Sequence, residues 1–209
     1  MSQKIKNVLI SLSDKSGIES VLEVLREYKI NIISSGGTYK EIKKLGYKCT
    51  EISKYTKFRE MLSGRVKTLH PKIHAGILSD RSNKKHQDEM VKNKFKNIDL
   101  IIVNFYPFQK IVLKTKNSRN IIENIDIGGP TMVRAAAKNF RDVLIITAKK
   151  DYSALVDELR EHKGGTSLQF REYMASKAFG LTAYYDSIIA SWFNKKLNIT
   201  FPDRKIIFG

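Results

Sequence analysis

Apolar residues in this chain come in short runs, separated by helix-length stretches of mixed polarity. The run at 7–12 predicts a buried strand. Over 16–28 the apolar positions Ile18, Val21, Leu22, Leu25 and Tyr28 recur with a helical period. A second strand is expected at 30–34, a short helix at 38–45 closed by Gly46, and a third strand at 48–52. Residues 98–105 form an almost continuous apolar run and 143–147 another, both reading as strands. Strands alternating with helices imply right-handed crossovers, hence an α/β fold: a doubly wound, mainly parallel sheet covered on both faces. Segments 53–97 and 106–129 break the rhythm and are read as long irregular loops, which in a compact domain are usually functional. Residues 168–193 read as one long helix with too many apolar positions for a single stripe. Such a helix is central to the core or shared with another subunit. The end of the chain, 197–209, returns to an extended, proline-containing pattern.

With 209 residues there is enough chain for one sizeable core. The single cysteine, Cys49, excludes an intramolecular disulfide framework and fits a reducing compartment. No apolar run approaches membrane-spanning length and residues 1–7 lack a signal-peptide core, so a soluble, cytoplasmic protein with no membrane partner is expected. The net charge of +17 would suit a polyanion or would steer a phosphorylated small molecule; it also fits a general drift of composition toward Lys, Asn and Ile. The lysines are dispersed, and no RNP-type aromatic motif, zinc-knuckle spacing or helix-turn-helix signal accompanies them, so no nucleic-acid partner is expected.

Five segments carry candidate chemistry. In a parallel sheet, ligands bind beyond the carboxyl ends of the strands. Ser13, Asp14 and Lys15 follow the first strand, where hydroxyl, ammonium and a helix N-terminus suit a phosphate; helix capping by the same residues is the alternative. Ser35, Gly36, Gly37 and Thr38 follow the second, with glycines that let successive N–H groups face an anion. This is neither a Walker loop nor a dinucleotide fingerprint. In the third segment, Arg65, Val66, Lys67 and Thr68 would place both cations on one side if extended. His70 and His74 nearby are not read as a metal pair, because Pro71 makes a shared helix face doubtful and no glutamate completes a hydrolase motif. In the fourth, Asn104 could read a base or carboxamide edge, with Phe105, Tyr106 and Phe108 as aromatic walls or core plugs. The fifth runs from Asp126 and Ile127 through Gly128-Gly129-Pro130 into a helix, with Pro130 at its first position and Arg134 and Lys138 four apart on one face. An acid, a glycine turn and a semi-buried lysine suit proton transfer on an anionic substrate. An amphipathic helix with a solvated basic face is the bland alternative.

Taken together, these segments resemble the IMP cyclohydrolase domain, the N-terminal half of the bifunctional AICAR formyltransferase/IMP cyclohydrolase of purine biosynthesis. The likeness runs in order from Ser13-Asp14-Lys15 to Lys177-Ala178-Phe179 and Ala183-Tyr184-Tyr185-Asp186, covering essentially residues 5–195. It implies a methylglyoxal-synthase-like α/β fold working as a homodimer, with residues 198–209 as a tail or the start of a linker. It also implies dehydrative closure of the ring of 5-formamidoimidazole-4-carboxamide ribonucleotide (FAICAR) to IMP, without metal or organic cofactor. By position, Ser13, Asp14, Lys15, Ser35, Gly36, Gly37 and Thr38 would hold the nucleotide, chiefly its phosphate. Arg65, Val66, Lys67, Thr68, Asn104, Phe105, Asp126 and Ile127 would line the ribose and base. Lys138 would transfer protons, with Asp126, Lys67 and Tyr106 in support. Phe105 stands where the family has leucine, which would narrow the base pocket. Formyltransferase activity is not expected of this chain alone. Two rivals share the fold: a methylglyoxal-synthase-like lyase, and a module that senses nucleotide without turning it over. One tension is geometric: Lys138 is eight residues beyond Pro130, about 12 Å along an ideal helix.

Overall fold

The computed structural model describes residues 2–199. The two-residue β1 (Gln3–Lys4) precedes β2 (Asn7–Leu12), and α1 (Glu19–Glu27) returns the chain to β3 (Asn31–Ser34). Helix α2 (Gly36–Lys44) leads to the short β4 (Thr50–Glu51). Three short helices, α3 (Ile52–Thr56), α4 (Pro71–Leu78) and α5 (Lys84–Lys92), then carry it across to β5 (Leu100–Asn104). A second trio, α6 (Phe108–Lys114), α7 (Ser118–Glu123) and α8 (Gly128–Lys138), leads to β6 (Leu144–Ile146). Helix α9 (Tyr152–Glu161), β7 (Gly165–Thr166) and the thirty-residue α10 (Leu168–Leu197) follow.

The central sheet is ordered β4-β3-β2-β5-β6 and every pairing in it is parallel, while β1 and β7 form a separate antiparallel pair. Alternate side chains of the strands serve two cores. Val8, Ile10, Leu100, Ile102, Leu144 and Ile146 pack with Val21, Leu22, Leu25, Leu155 and Leu159 of α1 and α9. Leu9, Ile33, Ile101, Val103 and Ile145 face the other way, onto Ile73 and Ile77 of α4 and Met132, Val133 and Ala136 of α8. This period of two is why the strands read as unbroken apolar runs: both faces are covered. Burying one such aliphatic side chain stabilises the fold by roughly 1.5–3 kcal/mol.

The chain winds outward from β2 to β4, then returns to place β5 on the other side of β2. The switch point therefore lies between β2 and β5, where the connections leave the sheet on opposite sides and open a crevice. Helix α10 straddles the far edge: Met174 enters the first core, Ala175 and Ala178 the second, so the helix lies along β6. Arg171, almost fully buried, ties this helix to the turn before β6 and to β7, donating to the carbonyls of Phe140 (2.9 Å), Arg141 (2.9 Å) and Thr166 (2.6 Å).

Two expectations need correction. Segments 53–97 and 106–129 are not structureless; they hold α3 to α7, each nine residues or shorter. Helices that short show no sustained period, and their stability comes from packing rather than propensity. Pro71 does not interrupt a helix but opens α4, where its missing N–H costs nothing. His70 is the N-cap of that helix, its Nδ1 accepting the Lys72 N–H at 3.0 Å. Of the extended tail at 197–209, all beyond residue 199 lies outside the described residues.

Candidate active site

A cleft of about 640 Å³ opens at the carboxyl edge of the sheet over the β2/β5 switch point. Four of its walls come from the segments singled out in the sequence. Ser13 and Lys15 follow β2, Ser35, Gly37 and Thr38 open α2, Arg65, Lys67 and Thr68 come from the 3-10 turn region before α4, and Asn104 and Tyr106 leave β5. Asp126 to Gly129, at the start of α8, complete the ring.

The first turn of α2 opens onto the cleft. Gly36 has φ of +54°, a left-handed conformation natural to glycine, and Gly37 packs so that an added Cβ would stand 3.4 Å from Lys15 Cε. The same construction at Gly36 lies 3.8 Å from Lys67 Nζ. Two ammonium groups from different loops thus flank a helix N-terminus, which supplies orphan N–H groups and the positive end of the helix dipole. Thr38 is not free for a ligand: its buried hydroxyl accepts the Leu12 N–H at 2.9 Å and donates to the Leu12 carbonyl at 3.0 Å, fastening α2 to β2.

Asn104 also differs from its sequence reading. Its Oδ1 accepts the N–H of Ser13 (2.6 Å) and of Asp14 (3.2 Å), and its Nδ2 donates to the Asp14 carbonyl at 2.7 Å. The amide is spent on shaping the loop after β2, not on a base edge. Asp14 faces solvent and caps locally: Oδ1 accepts the Ser16 N–H at 3.0 Å, and that bond holds its carboxyl below the usual range. Phe105 turns inward, 5.0 Å between ring centroids from Tyr185, so it does not narrow the cleft. Of the aromatics, Phe108 is a core plug and Tyr106 lines the cleft half exposed.

Arg65 and Lys67 do not alternate along an extended strand. Arg65 takes helical angles at the end of a 3-10 turn (Leu62–Gly64), and Met61 pairs with Val66 across the turn. Arg65 is engaged by Glu123 through both guanidinium and carboxylate arms, Nε to Oε1 at 2.9 Å and Nη2 to Oε2. Both residues are largely exposed, and the pairing bridges the Leu62–Gly64 turn to α7 across the cleft mouth.

Asp126 sits at the opening of α8. Its Oδ1 accepts the Gly129 N–H at 2.9 Å. Helix α8 starts at Gly128, so Pro130 is its third residue rather than its first. The glycines there leave room for their neighbours: a Cβ on Gly128 would displace Thr68 Oγ1, and one on Gly129 the Asp126 carboxylate. Burial raises the Asp126 pKa above the ordinary carboxylate value, opposed by the Gly129 N–H and the charge of Lys67.

Lys138 is the clearest displacement from expectation. It is exposed, not semi-buried, and it ends α8. That helix starts at the carboxyl edge beside the cleft and runs to the amino edge, where β6 begins; ten rises amount to about 15 Å. Lys138 therefore does not line this chain's own cleft. The lining residues missed in the sequence, Ser63, Ile122 and Glu123, sit in the segments read as irregular, and no local pattern marks them.

A helix N-terminus, two flanking lysines and a half-buried carboxylate meet at the switch point of a parallel sheet, the arrangement of a doubly wound α/β protein with a cleft at its carboxyl edge. The MGS-like domain model matches residues 17–131, the AICARFT/IMPCHase bienzyme model matches residues 136–208, and the chain belongs to this MGS-like, AICARFT/IMPCHase family. The bifunctional purine biosynthesis protein PurH of Bradyrhizobium diazoefficiens is 45% identical over 207 residues, 99% of this chain and 39% of that protein. PurH of Leptospira biflexa is also 45% identical, over 99% of this chain and 40% of its own length. The chain thus spans about two fifths of the length of these curated relatives. The crystal structure of ForH superposes with a TM-score of 0.81 at 28% identity, covering 90% of this chain and 97% of that one. No helix among the described residues is long and apolar enough to cross a membrane.

Proposed function

We propose that this chain is an IMP cyclohydrolase, closing FAICAR to IMP with loss of water. The carrying observation is the convergence of Lys15 and Lys67 on the amino end of α2, with the Asp126 carboxylate across the same cleft. The phosphate sits at α2 between the loops of Ser13–Lys15 and Ser35–Gly37, and the imidazole extends toward Asp126. Substrate is the one ligand required; no metal or cofactor enters the scheme.

Closure forms a bond from the carboxamide nitrogen to the formyl carbon. That nitrogen gives up one proton, and the formyl oxygen becomes a hydroxyl. Departure of the hydroxyl as water, with the formamido nitrogen giving up its proton, leaves the C=N bond of the purine. An amide is a weak nucleophile, so holding both groups in contact is a large share of the work. Asp126 takes the proton from the carboxamide nitrogen, and its burial makes it a better base than an exposed carboxylate. Lys67 stabilises the charge developing on the formyl oxygen, and Tyr106 donates from the cleft mouth.

Lys138 reaches a cleft only from a second copy, and a homodimer is part of this reading. Arg134 and Lys138 share the exposed side of α8, and the Arg134 guanidinium lies 5.8 Å over the Phe179 ring on α10. Phe179 of α10 is 41% exposed beside that cationic side. Pairing of this α10 surface with a second copy would bring Lys138 to the interface.

The test is IMP formation from FAICAR followed by absorbance, without metal or folate, beside calorimetric IMP binding. Turnover lost in Asp126→Asn with IMP still bound, and turnover lost with weakened IMP binding in Lys67→Ala, is the expected result. Wild-type binding without turnover would leave a nucleotide-sensing module; turnover of a triose phosphate instead would leave the lyase.

A further inference from the structure

Tyr185 is 5% exposed on α10, and its hydroxyl accepts the backbone N–H of Asp126 at 2.9 Å. The phenol ring is held from two directions, tilted against Phe105 at 5.0 Å and edge-on to Phe108 at 6.4 Å between centroids. Tyr185 and Phe108 form a small core with Ile121, and Phe105 packs against both it and the sheet core under α4 and α8. Asp126 is therefore gripped twice: its backbone by Tyr185 and its carboxylate by the Gly129 N–H at 2.9 Å.

We propose that Tyr185 is a positioning residue for the reaction, holding Asp126 in the desolvated orientation that faces Lys67. The inference rests on the cyclohydrolase reading for the reaction, but not for the contact. Its chemistry follows from the environment. An N–H just ahead of a helix start has no ladder partner, and the Tyr185 hydroxyl is the acceptor provided for it. Burial holds the phenol's pKa above its ordinary value, so the hydroxyl remains neutral through the working pH range. The ring reports the packing of β5's exit, α6 and α10 to a single backbone amide. Without the hydroxyl, the loop 124–127 loses its tie to α10 and water reaches the carboxylate.

Tyr185→Phe removes the acceptor and keeps the ring. The expected result is kcat lower by about tenfold with KM within about twofold, since the lost interaction acts on proton transfer rather than on binding. The acid limb of the kcat profile should move to lower pH, toward an ordinary carboxylate. Unchanged kcat and an unmoved limb would overturn the proposal. A purely structural role would lower the thermal midpoint and leave the limb in place. A second readout needs no turnover: titration of the Asp126 carboxyl carbon by NMR, assigned with Asp126→Asn. A lower pKa in Tyr185→Phe supports the proposal, and equal values sink it. Should the variant not fold, Phe105→Leu loosens the ring and leaves the hydroxyl, and should shift the titration in the same direction by less; no shift overturns the idea. An inactive wild type would remove the cyclohydrolase reading while the titration still decides Tyr185.

Discussion

Asn104 and Asp14, ninety residues apart, exchange a pair of hydrogen bonds: the Asp14 N–H reaches Oδ1 at 3.2 Å and Nδ2 reaches the Asp14 carbonyl at 2.7 Å. One side chain at the end of β5 thereby gives the loop after β2 its shape, across the switch point itself. Asn104→Ala should raise the dissociation constant for IMP by about tenfold, the scale of one or two lost hydrogen bonds. Turnover at saturating substrate should change little. Calorimetry with IMP and steady-state kinetics check it; a fall in kcat with unchanged affinity would return Asn104 to direct contact with the reacting base.

The Asp126 carboxylate sets the acid side of activity. Its pKa lies above 3.8 because burial penalises the charged form. A base is active when ionised, so kcat should fall as pH drops through that raised value, not through the ordinary one. Asp126→Asn should cost at least about a hundredfold in kcat and abolish the limb. A profile with its acid limb at the ordinary carboxylate value would count against Asp126 as the base.

Gly129→Ala tests the same group sterically. The added methyl would strike the Asp126 carboxylate, which must swing out of its bond to the Gly129 N–H. Turnover should fall by about a hundredfold, as for other small displacements of reacting groups, while IMP binding persists through the α2 end of the cleft. Wild-type activity in this variant would mean that the carboxylate's place is not critical.

Lys138 invites a mixing experiment. Lys138→Ala and Lys67→Ala should each be inactive alone. If the lysine acts across a dimer, mixing equal amounts under exchange conditions should restore about a quarter of wild-type turnover, from one intact site in each mixed dimer. No recovery, with exchange verified by mass spectrometry, would place Lys138 outside the reaction or inside its own subunit.

His74 gives a prediction about stability. Its Nε2 is buried with no hydrogen-bond partner among the described residues, and burial pushes its pKa below 6.5. Between that folded value and 6.5 the unfolded chain binds the extra proton, so stability rises with pH across this window and is lost as pH falls through it. His74→Gln should flatten that slope. Urea unfolding at several pH values checks it, and an unchanged slope would assign the acid sensitivity to other groups.

The central strands were legible because both faces of the sheet are covered, which makes β2, β3, β5 and β6 read as apolar runs. The loops after β2 and β3 were legible as anion-binding candidates because hydroxyls, glycines and lysines fall at strand ends. Side-chain direction was not. Asn104 and Thr38 looked like ligand contacts, yet both are consumed by backbone groups brought near only by the folded sheet. Lys138 looked adjacent to Asp126 in sequence, but a straight helix carries them apart. Tyr185 could not be linked to Asp126 at all, because the link runs over 59 residues. The short helices α3 to α7 escaped because a turn or two of helix leaves no period to detect.

Helix α10 lies along β6, and that placement bears on how the protein avoids self-association. Among the described residues the outer edge of Leu144-Ile145-Ile146 pairs with no strand, the kind of border that recruits a foreign one. The helix seals it, with Arg171 as the fastening at its near end. The other border, β4, is two residues long and offers little to copy. Loss of the helix would thus do more than weaken a core: it would turn a closed particle into one able to grow by adding strands.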